Sequence, residues 1–284
     1  MKDLLRTLMK AAIWAIVLVI IGMAVFYFSQ GYFVYSGRAL YRGEDPEWQA
    51  RIAVVAARGF RTSQMESSDP GVTVHGLWGP AQGVVPAILW FHDRRENITE
   101  IGHELQPLID LGCHVYAMEY RGYGMSPGVP TEEALLKDAE TVFDHLWARD
   151  DVRPRQVFVG GYSMGAALAL RLANKKDVAG VIAIAPIGNL STAMKKHLKY
   201  IPTDLLLRDQ YDAKTAAKGA RGPVFIAHGT IDDEVPLSTA KALAAFAPTS
   251  TLYEVEGAGH NDIYSVGGKK LWEEIDTFIV RISR

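Results

Sequence analysis

The chain has 284 residues, 49% of them hydrophobic and 22% charged, proportions of an ordinary globular protein with a sizeable core. A formal net charge of −2 offers no basic surplus for nucleic-acid binding. The single cysteine, Cys113, excludes an internal disulfide framework and a multi-cysteine metal site, and its apolar surroundings in "CHVYAMEY" mark a core position.

Residues 11–28, "AAIWAIVLVIIGMAVFYF", carry no charge and as a helix would extend about 27 Å, close to the hydrocarbon thickness of a bilayer. Lys2, Arg6 and Lys10 precede the run, and Phe26, Tyr27, Phe28, Tyr32, Phe33 and Tyr35 suit a headgroup boundary. A cleaved signal peptide is the rival reading. Against it, the run is longer than a usual h-region, and bulky aromatics stand where small residues should mark cleavage. We therefore expect a single-pass membrane protein, with residues 1–36 as an uncleaved anchor in the lipid bilayer. Three basic residues before the span, against Arg38 and Arg42 after it, favour a cytoplasmic N-terminus and an extracytoplasmic body.

Residues 37–58 show no clear period and read as a linker with a short helix. Strand-like pieces follow at 60–66 and 72–77. From there short apolar runs, at 87–91, 113–118, 156–160, 180–185, 224–227 and 251–255, alternate with helical stretches. In "TEEALLKDAETVFDHLWARD", opened by Thr131, Leu135, Ala139, Val142, Phe143 and Leu146 recur at helical spacing. Strands buried on both faces and alternating with helices imply an α/β fold over residues 59–284, with a mostly parallel sheet and helices on both faces. Residues 187–222 break the rhythm. Two short helices divided by Pro202 fit there, either as a cap over a pocket or as an ornamented crossover.

The strongest chemical signal is "VFVGGYSMGAALALRLAN". Gly161, Tyr162, Ser163, Met164 and Gly165 form G-x-S-x-G between a buried strand and a helix. A sharp strand-to-helix turn strains the serine backbone and presents its hydroxyl at the C-terminal edge of the sheet. The glycines two residues before and after let neighbouring chain pass close. A serine nucleophile needs a base, and the base an orienting acid. Downstream, "VFIAHGTIDDEVP" ends a strand in a loop with Asp232, Asp233 and Glu234, and "LYEVEGAGHNDIY" ends another before His260. In a parallel sheet such loops converge on one edge. His260 would take the Ser163 proton, and Asp232 would hold the imidazole and stabilise its charged form.

These pieces, with "YRGYGMSPGVPTEEALLKDAETVFDHL", occur in an order that resembles the α/β-hydrolase-fold serine hydrolases. The resemblance runs from about Gly59 to the C-terminus and is strongest to the membrane-anchored α/β-hydrolase-domain branch that includes the Bem-type proteins. It implies the catalytic set Ser163, Asp232 and His260, with Asp232 chosen over Asp233 by its place in the HG-x-x-D segment. It also implies an oxyanion hole built from the backbone N–H groups of Arg94 and Met164. One departure stands out. The strand at 87–91 runs into "HDRRE", so Asp93 takes a position that is glycine in the family. A Cβ there restricts the backbone angles, and a carboxylate would oppose a nearby oxyanion. We expect His92, Asp93 and Tyr162 on the pocket rim, with Arg94 and Arg95 offsetting the charge or binding an anionic substrate group. A plain solvated turn is the alternative. Tyr120 or Arg121 would brace the site, and His92 and His228 would make structural hydrogen bonds.

His75, His103, His114, His145 and His197 lack metal-ligand spacing, and no P-loop or G-x-G-x-x-G follows a first strand, so neither a metal nor another cofactor is expected. The reading is a membrane-tethered serine hydrolase acting on a small-molecule ester, thioester or other acyl substrate, with lipid substrates suggested by the anchor and by Leu205, Leu206 and Leu207. A peptidase or amidase of the same fold is an alternative. So is a non-catalytic, membrane-anchored binding protein whose oxyanion hole Asp93 has spoiled.

Overall fold

Strand and helix assignments follow from a computed structural model that describes residues 2–39, 45–195 and 198–283; Arg42 and His197 lie outside the described residues. Eight strands form one sheet: β1 (Arg61–Glu66), β2 (Thr73–Gly79), β3 (Val85–Phe91), β4 (His114–Met118), β5 (Val152–Tyr162), β6 (Val181–Ile184), β7 (Val224–Gly229) and β8 (Ser250–Val255). Their spatial order is β1-β2-β4-β3-β5-β6-β7-β8. β2 runs antiparallel to both neighbours, and every other pairing is parallel. The expected α/β class, mostly parallel with helices on both faces, is therefore what the chain adopts.

The strand pattern shows why both faces are covered. Ala87, Leu89 and Phe91 of β3 point into one apolar cluster, with helices α4 (Glu132–Trp147) and α5 (Met164–Lys175). Ile88 and Trp90 point into a second, with α3 (Gly102–Asp110) and α10 (Ile263–Ser283). The alternation is the two-residue period of a strand. Thr131 caps α4, its hydroxyl accepting from the Ala134 N–H at 3.2 Å. Cys113 is buried, and burial pushes its thiol pKa up to about 12.

One stretch differs from the sequence expectation. Residues 187–222 hold three short helices rather than two: α6 (Leu190–Lys195), α7 (Thr203–Leu206) and α8 (Ala213–Lys218). Asp212 starts the third, accepting from the Thr215 N–H at 3.1 Å. Upstream, α1 (Lys2–Val34) is long and apolar enough to cross a bilayer. The stretch read as a linker with a short helix does carry one, α2 (Pro46–Ala57), capped by Asp45, with Trp48 and Val55 buried in the second cluster.

The turn between β5 and α5 is wedged against the end of β3. A methyl on Gly165 would stand 2.1 Å from the Phe91 carbonyl oxygen, and one on Gly161 2.5 Å from the same atom. Overpacking against backbone costs about 1–3 kcal/mol, so Gly165→Ala should lower the thermal midpoint in detergent by roughly 2–12 °C. Gly22→Ala, where nothing lies within 4 Å, should leave it unchanged. A differential scan of both variants beside the parent chain checks this.

Candidate active site

Ser163 is the first residue to place. It has φ 56° and ψ −114°, a left-handed conformation that a residue with a Cβ enters only at a cost. Its N–H donates to the Ile184 carbonyl at 2.9 Å, which ties the turn to β6. The side chain is buried but points to a partner: Ser163 Oγ lies 3.1 Å from His260 Nε2. His260 Nδ1 lies 2.7 Å from Asp232 Oδ2. Each of the three follows the C-terminal end of a strand, β5, β7 or β8, so the parallel sheet gathers at one edge residues that are 69 and 28 positions apart in sequence.

Asp232 is held from several directions. Its Oδ1 accepts from the N–H groups of Glu234 at 2.9 Å and Val235 at 2.7 Å. His228 Nε2 sits 3.2 Å from Oδ2 and 2.8 Å from the Val235 carbonyl. Burial alone would raise the Asp232 pKa, but the hydrogen bonds of His228 and His260 outweigh it and hold the carboxyl well below the usual range. Asp233 is exposed. Asp262 instead accepts from the Gly259 N–H at 2.7 Å, a local cap.

The charged turn after β3 closes on itself. Asp93 Oδ2 accepts from Arg95 Nε at 3.0 Å, while Arg95 Nη2 reaches Asn261 Oδ1 at 3.1 Å. Glu96 Oε2 accepts from the Asp93 N–H at 3.1 Å. The Arg94 guanidinium turns away and donates to the Phe33 carbonyl at 3.0 Å. Asp93 is not among the residues with positive φ, so no glycine-like backbone is demanded of it. Burial would raise its pKa; the charges of Arg95 and Arg94, with hydrogen bonds from the Arg95 side chain and the Arg94 backbone, win and lower it. Asp93 Oδ2 also accepts from the Arg95 N–H at 3.3 Å, so the carboxylate is spent on its own turn. Asp93, Arg94, Ser163, Met164, Met194 and His260 line one cavity of about 20 Å³, room for little more than one water. A groove of about 440 Å³ lies beside it, sharing Ala193, Glu234 and Val235.

Known proteins resemble this chain. A family model described as serine aminopeptidase, S33, matches residues 84–209. The uncharacterized protein Rv2307c of Mycobacterium tuberculosis is 30% identical over 76% of this chain and 77% of its own length. The chain belongs to the α/β-hydrolase family. The α/β-hydrolase domain-containing protein WAV2 of Arabidopsis thaliana is 29% identical, over 74% of this chain and 75% of its own. Among solved structures, an α/β hydrolase from Vibrio vulnificus superposes with a TM-score of 0.71 at 19% identity, covering 89% of this chain and 92% of that one.

Within this hydrolase, two residues expected on the rim lie elsewhere. Tyr162 is buried behind the histidine, its hydroxyl donating to the His260 carbonyl at 2.8 Å. It points to the opposite face of β5 from the pocket, because side chains alternate along a strand. His92 is fully buried, 3.3 Å from Glu119. Desolvation pulls its pKa down, but the contact with Glu119 outweighs that and raises it. Tyr120 braces the turn as expected, donating to the His92 carbonyl at 2.7 Å. Arg121 instead clamps Asp138 and Asp69, away from the site.

Sequence reasoning missed Glu96, Glu234, Asn261 and Tyr123. Glu234, Asn261 and Tyr123 lie in quoted motif stretches that assign them no role, and for Glu96 only the density of charge in "HDRREN" hinted at a network. Burial, then the charge of Asp93, raises the Glu96 pKa to about 7 from its ordinary 4.5. A carboxyl whose folded pKa is raised favours the folded state fully below its ordinary value, and that contribution is lost as pH climbs through the folded value. The thermal midpoint of the parent chain should therefore fall relative to that of Glu96→Gln between pH about 4.5 and about 7. Parallel melting curves across that window, with no divergence, would contradict the assignment.

Proposed function

We propose that this α/β hydrolase is a membrane-tethered serine hydrolase that cleaves carboxylic ester or thioester bonds. The observation that carries the reading is the unbroken line from Ser163 Oγ through His260 to Asp232, 3.1 and 2.7 Å long. Ser163 Oγ attacks the acyl carbonyl while His260 Nε2 takes its proton. Asp232, accepting from Nδ1–H, fixes the tautomer and offsets the imidazolium charge. The carbonyl electron pair becomes an oxyanion, to which the N–H groups of Arg94 and Met164 donate. Met164 opens α5, so its N–H has no carbonyl four residues back to bind. Collapse of the intermediate breaks the bond to the alcohol or thiol, which leaves with the proton from His260. His260 then deprotonates a water that attacks the acyl-enzyme, releasing the carboxylic acid and restoring Ser163.

The cavity at Ser163 holds only the reacting carbonyl, so the bulk of the substrate belongs in the adjoining groove, between Ala193 of α6 and Leu243 of α9 (Leu237–Phe246). Ala193, Val235, Pro236, Ala242 and Leu243 give the groove an apolar strip for an acyl chain, beside polar and charged residues such as Asp212 and Lys214, and α1 would keep the enzyme at the bilayer where such chains are found. Its topology follows the basic residues ahead of the span, with the N-terminus cytoplasmic. The serine aminopeptidase description of the matched family favours amide cleavage as a second reading. The same catalytic line serves both, and the leaving group distinguishes them.

A fluorophosphonate probe on the detergent-solubilised full chain tests the nucleophile. Labelling should be complete in the parent, absent in Ser163→Ala, and slowed on the order of 10⁴-fold in Asp232→Asn, whose imidazole would be held in the wrong tautomer. Persistent labelling of a folded Ser163→Ala protein would refute the assignment, and so would an unlabelled, folded parent chain.

Asp93 bears on a third reading, a binding protein without turnover. Asp93 lines the cavity at Ser163, so removing its carboxylate takes a like charge away from the developing oxyanion, whose stabilisation by one N–H donor is worth about 10²–10³ in rate. Asp93→Gly should therefore raise kcat for a p-nitrophenyl ester at little change in KM. A loss of activity in a folded Asp93→Gly protein would mean that the Asp93–Arg95 pair organises the site instead.

A further inference from the structure

Helix α1 divides into a free part and a docked part. Its most apolar window has mean hydropathy 2.6 and is 6% buried, whereas Phe26, Gln30 and Val34 are buried. A spacing of four keeps those three on one side of the helix. The last turns of α1 thus lie along the domain, and the element they meet is the α6–α7 insertion. The buried Gln30 amide is bonded on both sides of Leu207: its Nε2 donates to the Leu206 carbonyl at 3.0 Å, and its Oε1 accepts from the Arg208 N–H at 2.8 Å. Tyr35 adds a bond from its hydroxyl to Asp209 Oδ2 at 2.9 Å. The insertion is pinned to the helix about one turn from Phe26, where the exposed apolar stretch gives way to the docked one.

At that level the surface changes character. Leu205, the neighbour of the bonded Leu206, is 80% exposed, and Tyr200 of the same insertion is 91% exposed. Phe28 and Tyr32 of α1 are exposed beside the docked face, and the Arg208 guanidinium lies 5.4 Å from the centre of the Tyr27 ring. Lys195 and Lys199 are also exposed on the insertion. Exposed leucine alone is common on protein surfaces. An exposed leucine next to the residue bonded to α1, an exposed tyrosine five residues before it and exposed aromatics on α1, with cationic residues among them, have the chemistry of the boundary between acyl chains and headgroups.

We propose that Tyr200 and Leu205 form a second membrane contact, entering that boundary beside α1 so that the α6–α7 insertion lies on a phospholipid bilayer. The proposal rests on α1 spanning the bilayer. It needs no turnover, so it stands apart from the hydrolase reading. Its consequence for the site is spatial. Ala193 and Met194, on the α6 arm of the same insertion, wall the cavity at Ser163, which sets the acyl pocket next to the lipid surface rather than on the far side of the domain.

Site-directed spin labels test it, since the one native cysteine is buried and Cys113→Ala clears the background. Labels on Leu205→Cys, Tyr200→Cys, Val19→Cys and Val84→Cys would be compared in the full chain, reconstituted in phosphatidylcholine–phosphatidylglycerol nanodiscs. Val19 lies in the exposed part of α1, and Val84 precedes β3 at the sheet edge opposite Ser163. Collisions with dissolved oxygen, which partitions into lipid, should exceed collisions with a water-soluble nickel chelate several-fold at Val19, Leu205 and Tyr200, and the order should reverse at Val84. Leu205 and Tyr200 labels behaving like Val84, with Val19 in lipid, would overturn the contact and leave the span standing. A Val19 label in water would overturn both. All four positions are exposed, and matching thermal midpoints would confirm that the labels are tolerated.

Discussion

The site depends on one close approach of backbone to backbone. Phe91 ends β3, and the turn from Gly161 to Gly165 passes so near its carbonyl that neither glycine has room for a methyl. Ser163 is held between them at φ 56°, a strain of about 1–3 kcal/mol that survives only because the surroundings fix it. Here β5 is central, hydrogen-bonded to β3 on one side and β6 on the other, and α5 is sheathed by alanine and leucine. A turn at the edge of the sheet could relax. This one is enclosed on all sides, so the hydroxyl stays aimed at His260.

Charge is the second constraint. Asp93, Glu96, Glu104 and Glu119 all crowd the end of β3, and bringing carboxylates out of water costs several kcal/mol each unless they are paired or neutral. The structure uses both solutions. Arg95 keeps Asp93 ionised, and the buried Glu119 faces His92 at 3.3 Å. Glu104 takes the other course: burial, with the charge of Glu96, pushes its pKa far up. It takes hydrogen bonds from Trp90 Nε1 at 3.0 Å and the Tyr264 hydroxyl at 3.1 Å. The dense charge after a core strand is thus a partitioned network, in which the Asp93–Arg95 pair borders the cavity and the other carboxyls are buried against their own partners.

The α/β class and the approach of Ser163, Asp232 and His260 were legible because each rests on a local rule: apolar runs of strand length, a strained G-x-S-x-G turn, and acid and base on loops that a parallel sheet must bring together. The boundaries came within a few residues, as β7 over Val224–Gly229 illustrates. What the sequence concealed depends on facing and on long-range pairing. Tyr162 and Ser163 are adjacent, yet only one reaches the cavity, a matter of strand parity at a bent turn. His228 was expected to be structural, and its place against Asp232 needed the loop to fold back over four residues. Leu205, Leu206 and Leu207 read alike, but Leu207 is buried while Leu205 is exposed. That difference is set by contact with Gln30, 176 residues away from Leu206.

The same long-range logic ties the N-terminal helix to the chemistry. The Arg94 carbonyl accepts from the Tyr123 hydroxyl at 2.7 Å and from the Gly37 N–H at 2.9 Å, and the Arg94 side chain reaches back to Phe33. A methyl on Gly37 would stand 2.8 Å from the Arg95 carbonyl carbon, so the chain leaving α1 fits against this turn as closely as the serine turn fits against Phe91. Fixing a carbonyl from two sides fixes the orientation of the peptide units around it, including the one that carries the Arg94 N–H. Residues 30–37 are therefore part of the hydrolase domain in the physical sense. They complete its apolar cluster through Val34 and Tyr35, and they hold the backbone that faces Ser163 across the cavity. A chain cut just before residue 38 would lose these bonds along with the apolar helix, whereas a cut ahead of Phe26 would remove only the part of α1 that the domain leaves bare.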